Sequence, residues 1–222
     1  MRPTNRPTRH VAVAAGALLA GLLAARRAQQ RWGATPEEVA AELPGDELLG
    51  AADLVATRAV TIEAPAEDVW PWIAQLGQER GGFYSYDGLQ RLLGLDIHNA
   101  DEVVPQWQDI APGDVVSLAR GLELAVAVAE PERALVLHGA PDPDEAAEGA
   151  ARMPFAFSWA FVLEPGPRNT TRLVVRERYR YLQPWAAPLV ETAQIAGFVM
   201  TTRMLRGIKE RAEYRPPAIP VG

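Results

Sequence analysis

The sequence predicts an α+β fold in which a curved antiparallel sheet wraps around one long C-terminal helix. Three observations lead to this prediction. The segments follow in the order strand, two short helices, run of strands and final helix, and not as alternating strands and helices. Several strand segments alternate polar with apolar residues, which gives the sheet an apolar face. The chain has 222 residues, of which 48% are hydrophobic and 23% charged, as in ordinary folded domains.

The predicted domain, residues 54–214, begins with a strand and a kinked helix. In the strand, residues 56–63, Val60 and Ile62 share one face and Arg58 lies at the edge. The helix starts after Pro65 and should bend at Pro71, because proline cannot donate the backbone hydrogen bond of a helix interior. A glycine-rich loop and a second short helix from residue 87 follow. Strands are then expected at residues 114–119, 122–129, 134–138, 155–163 and 171–182, and a final helix at 188–214 with an apolar side made of Leu189, Ala193, Ala196, Met200, Met204 and Ile208.

The composition excludes several classes of protein. There is no cysteine, so disulfides, thiolate nucleophiles and cysteine-ligated metals are ruled out. Residues 1–31 contain six arginines and no acidic residue, whereas the remainder carries a net charge of -12. A body this acidic does not suit nucleic acid, because neutralising phosphates needs a basic face. The basic arm suits a membrane surface instead.

The N-terminal arm, residues 1–31, predicts a single membrane anchor at about residues 10–26. Residues 11–25 carry no charge, and arginines flank them on both sides. Fifteen apolar residues are fewer than the roughly 20 that a span needs, so a cleaved signal of a secreted protein and a helix lying on protein or membrane remain alternatives. Three arginines on each side leave the membrane orientation open.

Residues 32–53 are expected to form a stalk between the arm and the domain. Thr35 is the expected N-cap of a short helix, Pro36 its first residue and Glu38 the acidic partner of a capping box. Residues 215–222 follow the domain as a tail.

Two segments resemble a known superfamily. Residues 56–77, ATRAVTIEAPAEDVWPWIAQLG, are similar to the opening strand and helix of START-like proteins, also called SRPBCC proteins, which include polyketide cyclases and aromatases, lipid-transfer domains and pollen allergens. Residues 77–114 look like a bacterial subgroup of that superfamily. The resemblance covers roughly residues 43–214. It implies a helix-grip fold with a cavity between sheet and C-terminal helix, and it supplies no shared catalytic residue.

The two longest strands predict the walls of such a cavity. Alternation puts the aromatic side chains of strand 155–163 on one face, and in strand 171–182 it separates Glu177 and Tyr179 from the arginines, which should face solvent. Small residues of the final helix would leave room for a ligand; alternatively, the aromatics fill an ordinary core. The predicted ligand-binding residues are Tyr84, Tyr86, Phe157, Trp159, Glu177, Tyr179, Ala196 and Met200.

Glu177 and His98 are the candidate catalytic residues. A carboxylate on an apolar face must be hydrogen-bonded, paired with an arginine, or protonated with a raised pKa, and a structural ion pair is the alternative to a catalytic role. His98 has Asp96, Asp101 and Glu102 nearby, but one histidine with carboxylates is a weak metal signal. We therefore predict no metal and no cofactor.

Three functional hypotheses follow from the sequence. The first is a membrane-tethered module that binds an apolar or aromatic small molecule of the lipid, polyketide or quinone type. The second is a cyclase-like or dehydratase-like enzyme in which Glu177 and a tyrosine or histidine move protons. The third is a protein-interaction domain with a closed core. A cavity with a convergent acid–base pair would favour the enzyme, and an apolar cavity without one would favour binding. The sequence leaves the oligomeric state open.

Overall fold

The structure, a computed structural model, describes residues 6–86, 97–119, 122–139 and 154–214. The expected short helix from residue 87 and the tail lie outside the described residues. Within them, an N-terminal helix precedes a mixed domain that ends in a long helix. The elements are α1 (Arg6–Gln30), α2 (Pro36–Ala40), β1 (Leu54–Ile62), α3 (Ala66–Ala74), β2 (Val115–Ala119), β3 (Leu122–Glu130), β4 (Ala134–Gly139), β5 (Phe155–Pro165), β6 (Thr171–Tyr181) and α4 (Ala186–Ala212), with 3₁₀ turns at Asp46–Leu48, Pro105–Trp107 and Pro167–Asn169.

The described strands form one antiparallel sheet of six strands in the order β1-β6-β5-β4-β3-β2. The first strand of the domain therefore pairs with the last, and every other pair of neighbouring strands is consecutive along the chain. Register shifts between Ser117 and Ala119 and between Val126 and Val128 interrupt the pairing at the β2 end. Such shifts bend strands, which helps a sheet to curve. The predicted α+β fold with a curved antiparallel sheet and a long C-terminal helix is confirmed.

The main core lies between one face of the sheet, α3 and α4. The inward residues of the central strands are aliphatic and aromatic, and they meet the apolar stripes of the two helices. This cluster includes Leu135, Leu137, Phe161, Leu173 and Val175 of the sheet, Val69 and Ile73 of α3, and Met204, Leu205 and Ile208 of α4. Burial of these side chains is the main force that holds α4 on the sheet.

The predicted apolar side of the final helix is wrong in its first half. Leu189, Ala193 and Ala196 are exposed there, and the inward positions belong to Val190 and Gln194. Gln194 is turned inward because its amide bonds with buried charged groups of the sheet. A criterion based on apolar residues alone therefore selected the wrong face.

The prediction that the arginines of β6 face solvent is also wrong for most of the strand. Arg176 is only 3% exposed and donates hydrogen bonds to the Ala41 carbonyl oxygen at 2.8 Å and to the Glu38 carbonyl oxygen at 2.7 Å. Arg172 pairs with the Glu38 carboxylate at 2.7 Å, and only Arg180 of the β6 arginines is exposed. The segment expected as a stalk thus lies against the outer face of the sheet, where its carbonyl oxygens accept hydrogen bonds from the arginines and its acidic side chains pair with them.

Contacts of this segment explain its position. The capping box at its helix is present: the Thr35 hydroxyl accepts from the Glu38 amide at 3.2 Å, and the Glu38 carboxylate accepts from the Thr35 amide at 2.7 Å. Beyond the helix, Leu43 is buried against Val162 and Val174 of the outer face. The sheet therefore has an apolar layer on each side.

Helix α1 is 25 residues long, and its residues 13–28 are exposed. Its C-terminal end contacts the domain: Arg26 pairs with Glu191, and the Gln29 side chain donates to the Gln194 carbonyl oxygen at 2.7 Å. Across the described part of the chain, no helix combines the length and the apolar content needed to cross a membrane. The anchor at residues 10–26 remains a prediction.

Candidate ligand cavity

A cavity of about 300 Å³ lies between the inner face of the sheet and α4. This volume is at the small end of the range of small-molecule sites, about 300–1,000 Å³. The described residues that line it come from four regions: the loop 81–86, the loop 97–100, strands β2, β3, β5 and β6, and helix α4. They are Phe83, Ser85, Ile97, Leu118, Leu122, Phe155, Phe157, Trp159, Glu177, Tyr179, Gly197, Met200, Thr201 and Met204.

The sheet wall of the cavity is aromatic. Phe155, Phe157 and Trp159 alternate along β5 and point to the same face, because strand side chains alternate with a period of two. Tyr179 of β6 is opposite Phe157 in the sheet, and the two ring centres are 4.7 Å apart. Phe83 closes the row from the loop, 6.1 Å from the Trp159 ring. The wall thus offers several ring faces to a ligand.

The helix wall leaves space. Gly197, Met200, Thr201 and Met204 of α4 reach the cavity at helical spacing. A Cβ atom placed on Gly197 would meet no atom within 4 Å. A larger residue at this position would therefore extend into open space without a clash at its first carbon.

One end of the cavity wall is polar and charged. Arg58 of β1, predicted at the strand edge, has a side chain that is 0% exposed; it donates to Glu177 at 2.8 Å. Thr201 donates to the same carboxylate oxygen at 2.8 Å, and the Gln194 amide lies between Arg58 and Glu177 at 3.3 and 3.4 Å. The Gln29 carbonyl oxygen accepts from Arg58 at 3.2 Å. We call Arg58, Glu177, Gln194 and Thr201 the buried polar cluster.

The cluster decides between the states expected for Glu177. The carboxylate is on the inward face, as alternation predicts, and it is paired with an arginine. Two donors, Arg58 and Thr201, meet on one oxygen of this carboxylate. Next to it, burial and then the negative charge of Glu177 raise the pKa of the Tyr179 hydroxyl well above its usual value.

Five of the eight predicted ligand-binding residues line the cavity: Phe157, Trp159, Glu177, Tyr179 and Met200. The other three lie elsewhere. Tyr84 is buried beside α3, where its hydroxyl donates to the Trp72 carbonyl oxygen at 3.0 Å and burial raises its pKa. Tyr86 and Ala196 are exposed. Whether the five bind a ligand remains a prediction.

The loop 81–86 contributes residues that the sequence did not suggest. Phe83 and Ser85 face the cavity in place of the two tyrosines. The reason is local: the Asn99 side-chain oxygen accepts from the amides of Phe83 at 3.1 Å and Tyr84 at 2.6 Å, and Tyr84 has a positive φ of 50°. Asn99, far along the chain, therefore sets which side chains point inward. The two adjacent glycines predicted the loop, but they could not predict which of its side chains face the cavity.

The second catalytic candidate lies apart from the first. His98 is exposed, in the loop after the segment that the structure does not describe, whereas its neighbour Ile97 lines the cavity. Asp96, part of the suggested metal cluster, lies outside the described residues. In the described ranges, no three histidine or acidic side chains are placed to hold a metal ion. The structure brings Glu177 together with Arg58, Thr201 and Tyr179, and not with His98.

Comparison with known proteins gives structural likenesses. No protein-family model and no curated protein sequence matches this chain. A hypothetical protein from Helicobacter pylori is similar, with 14% identity, a TM-score of 0.48, and coverage of 78% of this chain and 96% of that one. Truncated norcoclaurine synthase from Thalictrum flavum is similar with 12% identity and a TM-score of 0.41, and the match covers 73% of this chain and 95% of that one. Protein MLL2253 from Mesorhizobium loti is similar with 15% identity and a TM-score of 0.39, and the match covers 71% of this chain and 96% of that one.

Proposed function

We propose that this chain is a START-like domain that binds an apolar or aromatic small molecule, of the lipid, polyketide or quinone type, between the sheet and α4. The observation that carries the proposal is the cavity of about 300 Å³ with a wall of aromatic and aliphatic side chains. Small-molecule sites have this character: mostly apolar walls with a few polar groups that fix orientation.

The wall favours flat, conjugated molecules. Phe157, Trp159 and Tyr179 form a continuous row of rings. Rings pack best on other rings in offset or edge-to-face arrangements, and such contacts add to the gain from removing apolar surface from water. On the helix side, Gly197 lines the same cavity and has no side chain.

The buried polar cluster favours binding over acid–base catalysis. A general base must have an oxygen that the substrate can reach. Glu177 already accepts from Arg58 and Thr201 on one oxygen and from Gln194 on the other. The protein-interaction alternative predicts a filled core, to which the cavity gives no support.

We also propose that helix α1 attaches the domain to a membrane. Its exposed side chains include Leu18, Leu19, Leu22 and Leu23, and the arm carries six arginines. Apolar and basic residues on one helix suit an anionic bilayer. Flotation with vesicles of phosphatidylcholine and phosphatidylglycerol tests this proposal: the full chain should float, and a chain without residues 1–24 should not. Equal flotation of the two chains would contradict the proposed membrane attachment through α1.

Ligand binding is tested by titration with N-phenyl-1-naphthylamine, an apolar molecule that becomes fluorescent in dry surroundings. We expect saturable binding of one molecule per chain. Competition by an unlabelled aromatic molecule should reverse the fluorescence. A linear, unsaturable signal, or no signal at all, would contradict the proposed function.

A further inference from the structure

The first half of α4 presents an apolar face to solvent. Four of its exposed residues, Leu189, Ile195, Ala196 and Val199, fall on one side of the helix at helical spacing. The exposed fractions of the three large ones are 49%, 65% and 42%, and that of Trp185, directly before the helix, is 57%. We call these five residues the α4 face. Apolar patches of this kind mark contact surfaces, because uncovered apolar surface is costly in water.

The first half of α4 is also almost free of charge. Between residues 183 and 202, Glu191 is the one charged residue of the sequence, and Arg26 of α1 pairs with it. Residues 203–212, the second half of the helix, include five charged residues. A helix side that faces only water usually carries charged or polar residues, as the second half does. The α4 face therefore has the composition of a surface that something else covers.

The α4 face meets α1 on one side and borders the cavity on the other. Leu22 and Ala25 of α1 and Ile195 of α4 line a groove of about 390 Å³ between the two helices. On the other side of the face, Gly197 and Met200 line the cavity. Whatever covers the α4 face therefore contacts α1 as well and lies next to the cavity.

Helix α1 indicates what this cover is. Its residues 11–25 carry no charge on any side, and its residues 13–28 are exposed. A partner protein covers one side of a helix, whereas lipid can enclose it, so a helix without a charged side suits a bilayer. Arg26 and Arg27 follow the uncharged run, where they can reach anionic headgroups, and tryptophan, as at position 185, is typical of the membrane interface. Lipid is therefore the cover that fits both helices.

We propose that the α4 face lies on a lipid bilayer beside α1, so that the domain rests on the membrane with the helix wall of its cavity at the bilayer surface. This inference rests on the proposed attachment through α1. It adds a second contact, which fixes the orientation of the domain, whereas attachment through α1 alone would leave the α4 face in water.

The test uses the absence of cysteine from the chain. Ile195→Cys and Val115→Cys each provide one site for nitrobenzoxadiazole, a label whose fluorescence increases in apolar surroundings. Val115 is the matched control because it is 55% exposed and lies on β2, at the other edge of the sheet from β1. The labelled full-length chains are mixed with vesicles of phosphatidylcholine and phosphatidylglycerol, with or without nitroxide-labelled lipid. We expect the label at 195 to brighten on vesicles and to be quenched by the nitroxide, and the label at 115 to do neither.

A substitution measures the strength of the contact. Ile195→Glu should lower partitioning into the vesicles at least about tenfold, because it removes an apolar side chain from the contact and places a charge against lipid. Val115→Glu should leave partitioning unchanged.

Equal responses of the two labels on a chain that floats, or equal partitioning of Ile195→Glu and the wild type, would overturn the contact of α4 while leaving the attachment through α1 intact. A label at 195 that responds to protein concentration without vesicles, together with the mass of a dimer, would assign the face to a second copy of the chain and also overturn the contact. A wild-type chain that does not float would overturn both proposals.

Discussion

Replacing Glu177 by glutamine removes the negative charge opposite Arg58 and keeps the shape of the side chain. The two side chains are 5% and 0% exposed and their charged atoms are 2.8 Å apart. After the substitution, the arginine stays buried without a counter-ion. The amide oxygen of glutamine can still accept from Arg58 and Thr201, so part of the hydrogen bonding survives. The variant therefore tests the charge of the pair more than its geometry.

Breaking a buried ion pair on one side costs about 3–5 kcal/mol, because the remaining charge is left uncompensated. The surviving hydrogen bonds place Glu177→Gln at the lower end, about 3 kcal/mol. In a protein of this size each kcal/mol lowers the melting temperature by about 2–4 °C, so we expect a fall of about 6–12 °C. Joint replacement, Arg58→Met with Glu177→Leu, removes the uncompensated charge but leaves the Gln29 carbonyl oxygen, the Gln194 amide and the Thr201 hydroxyl without these partners, so it should recover only part of this loss.

The assay is thermal unfolding followed by circular dichroism, with Glu210→Gln as the control. Glu210 pairs with Arg203 at the same distance, 2.8 Å, but its side chain is 58% exposed. Its loss should cost less than about 1 kcal/mol, because solvent screens exposed pairs. If Glu177→Gln and the control melt at the same temperature, the buried pair does not stabilise the fold. The interpretation of Glu177 as the structural partner of Arg58 is then refuted.

Three further predictions concern other parts of the chain. Removal of residues 1–24 should leave the melting temperature almost unchanged, whereas removal of residues 1–31 should lower it. The longer deletion takes away the Gln29 carbonyl oxygen that accepts from the buried Arg58, a loss of about 1–3 kcal/mol. Equal melting temperatures of the two deletion variants would contradict this prediction. Gly207→Ala should destabilise by about 1–3 kcal/mol in a urea titration, since its new Cβ would lie 2.4 Å from the Tyr84 carbonyl oxygen; an unchanged midpoint would show that the loop yields. Burial, with the Glu191 carboxylate, raises the pKa of Tyr181 to about 12, so its contribution to stability is complete below pH 10 and is lost as the pH rises to 12. The melting temperature of Tyr181→Phe should therefore decrease less between pH 10 and pH 12 than that of the wild type. An equal decrease in both proteins would contradict this role of Tyr181.

The sheet side of the cavity follows from the sequence. Phe157, Trp159, Glu177 and Tyr179 lie on one face because alternation along a strand is enforced by backbone geometry. The same alternation gave the inward position of a carboxylate. What alternation cannot supply is the partner: Arg58 is over a hundred residues away, and its pairing with Glu177 depends on β1 lying next to β6.

The helix side was less predictable. The apolar stripe predicted one face, but α4 turns Gln194 and Thr201 inward, where they bond with Glu177, and turns Ala196 outward. Polar residues that satisfy a buried charge override the apolar pattern, and the sequence holds no local sign of this. The prediction that the β6 arginines face solvent was wrong for a related reason: the segment around Glu38 covers them and supplies their hydrogen-bond acceptors.

The most direct test of the central claim, that the space between the sheet and α4 is the ligand site, uses two adjacent residues of the helix. Gly197→Trp places an indole in the cavity, whereas Ala196→Trp places the same indole on the exposed side. Both variants and the wild type are titrated with N-phenyl-1-naphthylamine. We predict that Gly197→Trp lowers the affinity at least about tenfold, the equivalent of 1.4 kcal/mol, and that Ala196→Trp leaves it unchanged. Equal affinities of a folded Gly197→Trp protein and the wild type would contradict the claim.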